Sequence, residues 1–506
     1  MFSAVAVVAV TICGLADAVA PAAITYEEFG AVGDGKADDF DAIIAAHAAA
    51  NSRGLPVRAK DGATYYIGQG GKTAIIRTDV DFGTAKFVID DTKVKMRHIK
   101  INVFCVAPDE AAIPVAGIAS LARGQADIGV KLPKDCIVHL KNDKVKRFIR
   151  WGGNKNNGTA QTEVVLVNRE GRVDPSTPVM WNYDTVTEAI ARPVDGRAIT
   201  LKGGVFTTVA NQAESRYTYY RRGMQVMRSN VRIEGVRHLV TGELDHGAPY
   251  AGFICISDCA HVTVTGCVFT AHRTYKTIGN AGVPVSMGSY GISVGSAIDV
   301  RFLGCSQTTD ITDGRYWGLF GSNYCRNLLF DGCEFSRFDA HQGVANATIR
   351  NSTLGYMGVQ AIGRGTLLVE NTTVRSRNAF IGLRTDYGSS WDGDIIIRNC
   401  TFAPCNSKSD AMPPIIGGCN VGAHDYGYEC RMPRRITIDG LKIDDSGRTG
   451  DKTDTYIFAP FARGDNVVRP YPVTEEVTLR NVETASGRQL KVSKNMRMFG
   501  GVKVNR

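Results

Sequence analysis

From residue 231 onward, apolar and polar side chains alternate in short runs that share one six-residue pattern: apolar, any, apolar, any, Gly or Asn, then Cys or a residue of similar size. Alternation over a short run is typical of a strand with one buried face, and the β-branched content agrees. Nine segments fit the pattern: Val231–Val236, Val262–Cys267, Val300–Cys305, Leu328–Cys333, Ala347–Ser352, Leu367–Thr372, Ile395–Cys400, Ile436–Leu441 and Val477–Val482.

The spacing of these segments indicates how they are arranged. Successive segments start 31, 38, 28, 19, 20, 28, 41 and 41 residues apart, and no convincing crossover helix follows each strand. Parallel strands with a minimum period near twenty predict a solenoid in which each coil stacks on the previous one and buries a shared core. The longer intervals then represent loops inserted on some coils. The predicted fold class is therefore all-β, a parallel β-helix.

The sixth position of the pattern predicts an inward-facing stack of small side chains. It is occupied by Cys267, Cys305, Cys333 and Cys400, with Ser352 and Thr372 between them. We interpret these cysteines as buried. A zinc site would need paired ligands at short spacing, and the sequence offers none, so we predict no metal and no cofactor. A disulfide stays open for Cys405, Cys419 and Cys430, which lie in a loop-rich stretch.

The open end of a solenoid needs a cover, because exposed strand edges would otherwise pair with other chains. Asp38 and Asp39 can cap a short helix that runs through about Asn51 and ends at Gly54. Its apolar side is predicted to consist of Phe40, Ile43, Ile44 and Ala48.

The residues around this helix resemble the opening of the pectate-lyase superfamily. The stretch FGAVGDGK at 29–36 is followed by Asp38, Asp39, the alanine-rich helix and then YYIG at 65–68. The superfamily includes polygalacturonases, rhamnogalacturonases, lyases, epimerases and phage tailspikes. The resemblance covers residues 25–70 and implies a right-handed parallel β-helix, which the repeat supports over 231–485. The motif itself is structural and leaves the reaction open.

Length and composition fit one long solenoid. The chain has 506 residues, too many for an ordinary compact domain, with 44% hydrophobic and 22% charged residues. We predict a signal peptide at 1–20, an N-terminal cap and first coils at 21–104, an elaboration at 105–225 and the main coils at 226–506. The apolar run Val5–Ile12 and the small residues Ala16 and Ala18 predict export to a periplasmic or extracellular location. That run is too short to span a bilayer.

The net charge of +9 comes without any Lys/Arg-rich run, so we predict no nucleic-acid partner. A mild positive charge suits an acidic polymer. The predicted partner is a polysaccharide, neutral or acidic, and no membrane span is expected. No motif predicts the oligomeric state.

Polar residues at matching offsets on adjacent coils are the candidates for chemistry. Ten residues after a repeat start lie His272, Asp310 and Phe338, with Asp339 next to Phe338. The catalytic candidates are Asp310, Asp313, Asp339, His272 and His341. The substrate-binding candidates are Asp245, His246, Arg273, Tyr275, Lys276, Arg315, Tyr316, Arg384, Asp386 and Trp391.

Three functions stay open. A glycoside hydrolase needs two carboxyl groups, which Asp310, Asp313 and Asp339 could supply, and we favour this reading. A polysaccharide lyase needs a base and cations around a uronic carboxylate, which the His, Arg, Lys and Tyr candidates could supply. A non-catalytic glycan-binding or tailspike-like protein is the third. The catalytic motifs of polygalacturonases are absent, so no residue role is carried over from that family.

Overall fold

The computed structural model describes residues 22–405, 411–420, 422–446, 454–461 and 471–506. The predicted signal peptide lies outside the described residues. Within these ranges the chain winds into a right-handed parallel β-helix, and the predicted fold class is confirmed. No helix in the described part of the chain combines the length and apolar character needed to cross a bilayer.

Three columns of parallel strands run along the helix. The first column carries the repeat, with strands Ile24–Thr25, Val57–Arg58, Val80–Asp90, Ile199–Val209, Val231–Glu234, Ala260–Thr265, Ile298–Leu303, Phe320–Asp331, Glu334–Arg350, Thr353–Glu370, Trp391–Phe402, Arg435–Ile443, Glu476–Thr484 and Lys503–Asn505. The second adds Asp34–Asp38, Thr64–Ile67, Arg237–Thr241, Val268–Phe269, Ser306–Gln307 and Thr373–Val374. The third adds Ala74–Ile76, Phe104–Val106, Met224–Val226, Ile254–Ser257, Ile292–Gly295, Ile381–Leu383 and Ile416–Gly417. Several longer strands continue from one column into the next.

The repeat read from the sequence is the register of the first column. Val231 pairs with Val262, and Ile395 pairs with Ile436, so equivalent pattern positions stack coil on coil. The nine residues at the fifth position all have positive φ, between 46° and 77°: Gly235, Gly266, Gly304, Gly332, Asn351, Asn371, Asn399, Gly440 and Asn481. This left-handed conformation bends the chain out of the strand, and Gly and Asn adopt it at the lowest cost.

The cysteine stack is confirmed as part of the core. Cys267, Cys305, Cys333 and Cys400 are all at most 2% exposed. The thiol of Cys333 donates to the carbonyl of Phe302 on the preceding coil at 3.3 Å. Outside this stack, the Cys405 thiol donates to the carbonyl of Arg375 at 2.7 Å.

The N-terminal helix Phe40–Arg53 covers the first coil and ends at Gly54, as predicted. The Asp38 side chain accepts a hydrogen bond from Phe40 N at 3.1 Å. Asp39 instead binds Val32 N at 2.6 Å, which shows that the opening motif ties a loop to the helix. The predicted apolar side needs one correction, because Ala48 is exposed and the buried residues are Phe40, Ile43, Ala46, His47 and Ala50. At the other end, the short helix Met496–Phe499 packs against the last coils.

Between Val106 and Ile199 the chain leaves the coils and forms a four-stranded antiparallel sheet, here called the insertion. Its strand order is Thr159–Val167, Cys136–Arg147, Glu188–Pro193 and Ile113–Pro114. Its two ends meet, because Asp109 N donates to the Asp195 carboxylate at 2.8 Å. Arg228 forms ion pairs with both of these aspartates. The later strands Ile199–Val209 and Met224–Val226 pair within the coils.

Candidate functional site

The outer face of the third column forms the floor of a groove. Phe320, Phe338, Val359 and Ile381 are fully buried in the core. Because side chains alternate along a strand, their neighbours Gly321, Asp339, Gln360 and Gly382 face outward. Two of these neighbours are glycines, and the absence of a side chain leaves room for Tyr290 and Gln360. A Cβ on Gly321 would lie only 2.6 Å from the Tyr290 ring, and one on Gly382 only 2.5 Å from Gln360.

The groove consists of two adjoining hollows of about 580 and 600 Å³. They share Tyr217, Tyr219, Tyr290 and His341. Their lining reaches from Arg221, just before the strand Met224–Val226, to Arg384, just after the strand Ile381–Leu383. These two strands are six strand spacings, or about 29 Å, apart.

Aromatic and amide side chains line the walls. The aromatic ones are Tyr217, Tyr219, Tyr290 and Trp317, and the amides are Asn154, Asn156, Asn280, Gln360 and Asn378. Aromatic rings offer flat apolar faces, while amides donate and accept hydrogen bonds. This combination of groups suits a ligand that is both ring-shaped and rich in hydroxyls.

A network of arginines and aspartates lies at one end of the groove. Asp339 is fully buried, with one carboxylate oxygen 2.5 Å from Arg337 and the other 2.8 Å from Arg384. Arg384 continues to Asp386 through two contacts, at 3.1 and 2.9 Å. Arg150, from the insertion, binds the same Asp386 at 2.9 Å. A buried charge is tolerated when it is paired, and here each carboxylate bridges two guanidinium groups.

The arginines of the network determine the protonation state of Asp386. Burial acts to raise the pKa of Asp386, but the charges and hydrogen bonds of Arg384, together with the charge of Arg150, lower that pKa to about 2. Asp386 is therefore ionised at neutral pH and partly exposed to the groove.

His341 lines both hollows of the groove, and its hydrogen bonds indicate which ring nitrogen carries the proton. Its Nδ1 lies 3.1 Å from the amide oxygen of Asn323, and its Nε2 lies 3.2 Å from the Tyr387 hydroxyl. The amide oxygen can only accept, so Nδ1 carries the proton and Nε2 accepts from the tyrosine. Burial, and then the charge of Arg384, lower the pKa of His341 to about 3, which keeps the ring neutral at neutral pH.

Two of the predicted catalytic aspartates lie in a turn beside the groove. Asp310 accepts hydrogen bonds from the backbone and hydroxyl of Thr312, each at 2.8 Å. Asp313 forms an ion pair with Arg315, two residues away. Hydrogen bonds from these neighbours lower the pKa of both carboxyls. We call Asp310 and Asp313 the turn carboxylates. Of the three predicted aspartates, Asp339 alone belongs to the groove network.

A second group of candidates surrounds His272 and lies outside the groove lining. The buried His272 ring binds the Glu243 carboxylate at 2.9 Å and stacks on Tyr250. Arg273 and Tyr275 both donate to the carbonyl of Leu244. The remaining candidates here are Asp245 and His246, which are exposed, Lys276, on the exposed hairpin Lys276–Ile278 and Pro284–Ser286, and Tyr316, which forms a bridge to Arg273.

The structure corrects the placement of Trp391. The sequence suggested that this ring contacts substrate, but it is fully buried in the coil core. Its indole N–H donates to the carbonyl of Gly365 at 3.0 Å. A side chain enclosed in this way cannot reach a ligand in the groove.

The groove contains residues that the repeat alone did not reveal. Arg337 lies two positions before Asp339 on the same strand, so the alternation rule could have found it. Arg150, Tyr219 and Tyr290 come from the insertion and from long loops, whose positions the repeat does not fix. Among the described residues, no group of three or more His, Cys, Asp or Glu side chains is arranged to hold a metal ion.

The comparisons with known proteins agree with this architecture. No family model matches the chain. It is 27% identical over 173 residues to a capsule depolymerase, KL64-specific, of Klebsiella phage P510, a match that covers 29% of this chain and only 17% of the phage protein.

Two solved structures share the fold over most of their length. One is the tailspike protein gp49 of Pseudomonas phage LKA1, with a TM-score of 0.50, 14% identity and coverage of 95% of this chain and 84% of that one. The other is the gp54 tailspike of Acinetobacter baumannii bacteriophage AP22 in complex with capsular saccharide, with a TM-score of 0.50, 11% identity and coverage of 95% and 79%. At these identities the likeness shows the fold alone. The chain thus shares the parallel β-helix fold of these two tailspikes.

Proposed function

We propose that this chain binds an acidic polysaccharide along the groove and cleaves its glycosidic bonds. The observation that carries this proposal is the charge of the groove. Among the described residues that line its two hollows, five are cationic (Lys100, Arg150, Arg221, Arg337 and Arg384) and one, Asp386, is acidic. The similarity to a capsule depolymerase supports a polysaccharide as the ligand. Its acidic character rests on the charge of the groove. Action outside the cell, expected from the first twenty residues, is part of the proposal.

The groove favours elimination over hydrolysis. Hydrolysis needs one carboxyl that is protonated when the reaction begins. Asp386 has a pKa of about 2, and both oxygens of Asp339 face arginines. The turn carboxylates also have lowered pKa values. Elimination needs cations around a uronic carboxylate, a base and a proton donor, and the groove offers all three.

The elimination step uses the residues of the groove as follows. Arginines hold the sugar carboxylate, and Nε2 of His341, after giving up its hydrogen bond from the Tyr387 hydroxyl, removes the proton from the adjacent ring carbon. The electron pair of that C–H bond forms a carbon–carbon double bond, and the neighbouring C–O bond breaks. Tyr219 or Tyr290 protonates the departing oxygen, since burial raises the pKa of both phenols and keeps them protonated. A sugar carboxylate near Arg384 also offsets the charge that depresses the pKa of His341.

The test is to incubate the purified protein with panels of neutral and acidic polysaccharides, including bacterial capsules. New reducing ends and the ultraviolet absorbance of an unsaturated sugar are followed together. Elimination produces both signals, whereas hydrolysis produces reducing ends alone and would redirect attention to Asp386 and Asp339. Binding without either signal would identify a glycan-binding protein, and no binding to any polysaccharide would contradict the proposal.

A further inference from the structure

Arg150 reaches the groove from the insertion, outside the coils that supply its floor. It lies in the loop between the strands Cys136–Arg147 and Thr159–Val167. Two contacts fix this loop to the turn Thr385–Tyr387: the Arg150 guanidinium binds the Asp386 carboxylate at 2.9 Å, and Trp151 N donates to the Asp386 carbonyl at 2.9 Å. The guanidinium also lies 5.6 Å from the centre of the Tyr387 ring.

Buried contacts join the insertion to the coils. Glu163, on the strand Thr159–Val167, forms a fully buried ion pair with Arg326 of the coils. Arg326 also donates to the carbonyl of Pro178 at 2.6 Å. On the same side, Trp181 packs against Arg364, whose guanidinium lies 4.6 Å from the ring centre. Buried contacts of this kind place Arg150 before any ligand arrives, which lowers the entropy cost of binding.

The same loop also joins the hairpin Lys276–Ile278 and Pro284–Ser286. Ala281 N donates to the carbonyl of Gly153 at 3.0 Å, and Asn280 donates to the carbonyl of Lys155 at 3.2 Å. Asn154 donates to the Tyr217 hydroxyl at 2.8 Å. The loop therefore supports the side of the groove that carries Tyr217, as well as presenting Arg150.

The balance of charge shows what Arg150 adds. The network contains three guanidinium groups, those of Arg150, Arg337 and Arg384, and two carboxylates, those of Asp339 and Asp386. The network therefore carries one excess positive charge, and Asp386 is shared between Arg384 and Arg150. Arg150 is also the most exposed of the three, at 24%, against 11% for Arg384 and 2% for Arg337.

We infer that Arg150 is the residue through which the insertion selects the substrate, by binding an anionic group on the sugar next to the cleaved bond. The inference rests on the proposed function and adds to it a specificity-determining residue outside the coils. The ligand is a sugar carboxylate, which a guanidinium can bind through two parallel hydrogen bonds. Binding the sugar carboxylate while keeping Asp386 uses the several fixed N–H donors of the planar guanidinium, so lysine is expected to replace arginine only in part.

The experiment compares Arg150→Gln and Arg150→Lys with wild type, using a matched control. Arg123→Gln is that control, because Arg123 also joins the insertion to the coils, by an ion pair with Asp392 at 3.0 Å, but does not line the groove. KM and kcat are measured on the best acidic polysaccharide, and affinity is measured by calorimetry for acidic and neutral oligosaccharides. Thermal unfolding verifies that each variant is folded.

Arg150→Gln should raise KM and Kd for the acidic ligand by roughly ten- to hundredfold, the loss expected when a hydrogen bond to a charged group is removed. Arg150→Lys should recover part of this loss, neutral ligands should change little, and Arg123→Gln should behave as wild type. Unchanged KM and Kd in a folded Arg150→Gln would overturn the inference while leaving the proposed function intact. A wild-type protein that prefers neutral ligands would overturn the inference together with the acidic ligand of the proposed function. One that binds no polysaccharide would overturn both proposals entirely.

Discussion

The turn carboxylates and the groove carboxylates are the same chemical group in two different settings. Asp310 and Asp313 find their partners two residues along the chain. Asp339 and Asp386 also have an arginine two residues away, Arg337 and Arg384 respectively. Each of them additionally binds a distant arginine: Asp339 binds Arg384, 45 residues away, and Asp386 binds Arg150 of the insertion. A carboxylate bonded to its own turn stabilises a local bend, whereas one held by distant arginines marks a place where the fold has brought charges together. The comparison shows that partners identify a candidate site better than residue type does.

Removing an arginine from each setting should give the largest contrast. Arg384→Met leaves buried Asp339 and Asp386 with less compensation, and we expect a loss of about 3–5 kcal/mol in unfolding free energy together with all cleavage activity. Arg315→Met, in the exposed turn, should leave stability and activity unchanged. Denaturant unfolding of both variants provides the measurement. Equal losses would mean that the two settings do not differ energetically.

The histidines of the groove and the surface give the next contrast. His341→Gln should lower kcat by about a hundredfold or more, the usual contribution of a general base, with a smaller effect on KM. The exposed His246 provides the matched control, and His246→Gln should keep wild-type kcat. Steady-state kinetics on the acidic polysaccharide gives both values. A fully active His341→Gln enzyme would remove this residue from the proposed elimination.

Burial of histidine also predicts how stability depends on pH. Burial lowers the pKa of His47 to about 3, below its value in the unfolded chain, so protonation favours unfolding. Its contribution is complete above pH 6.5 and is lost as the pH falls towards 3, by about 1.4 kcal/mol per pH unit.

His47→Gln should therefore flatten the decline of the thermal midpoint between pH 7 and pH 5. His246→Gln should leave that slope unchanged because its ring is exposed. The same steep slope in His47→Gln and in wild type would show that other groups cause the decline.

The turn carboxylates should give the smallest effects. Asp310→Ser keeps a hydroxyl that can accept from Thr312 N, so stability should change by no more than about 0.5 kcal/mol. Asp313→Asn should likewise retain activity. If either folded variant lost cleavage activity, the paired-aspartate hydrolase expected from the sequence would regain the lead over elimination.

The fold could be predicted because its signal is local and repeated. The alternating pattern, the Gly or Asn at the fifth position and the small sixth residue each reflect a condition that every coil must meet, so nine copies reinforce one another. The register between Val231 and Val262 follows directly from aligning them. The insertion has no such repetition, and its antiparallel pairing could not be read from the sequence.

The candidate site was only partly predictable for the same reason. Asp339, His341, Arg384 and Asp386 follow strands of the repeat, and their proposed roles stay predictions. Counting along the repeat also selected His272 and Asp310. Equal offsets do not show that their side chains are already hydrogen-bonded to neighbouring residues of the protein. Arg150 carries no signal in its own neighbourhood. Its position depends on how the insertion packs on the coils, which the sequence pattern does not specify.

The way the insertion joins the coils has a consequence for evolution and engineering. A hydrogen bond between Asp109 and Asp195, and ion pairs of both with Arg228, hold its two ends together at the edge of one coil. A segment that leaves and returns at one point can be exchanged without altering the stacking register of the scaffold. The insertion is thus a replaceable unit, and if it selects the ligand as we propose, exchanging it would change the ligand preference of the scaffold.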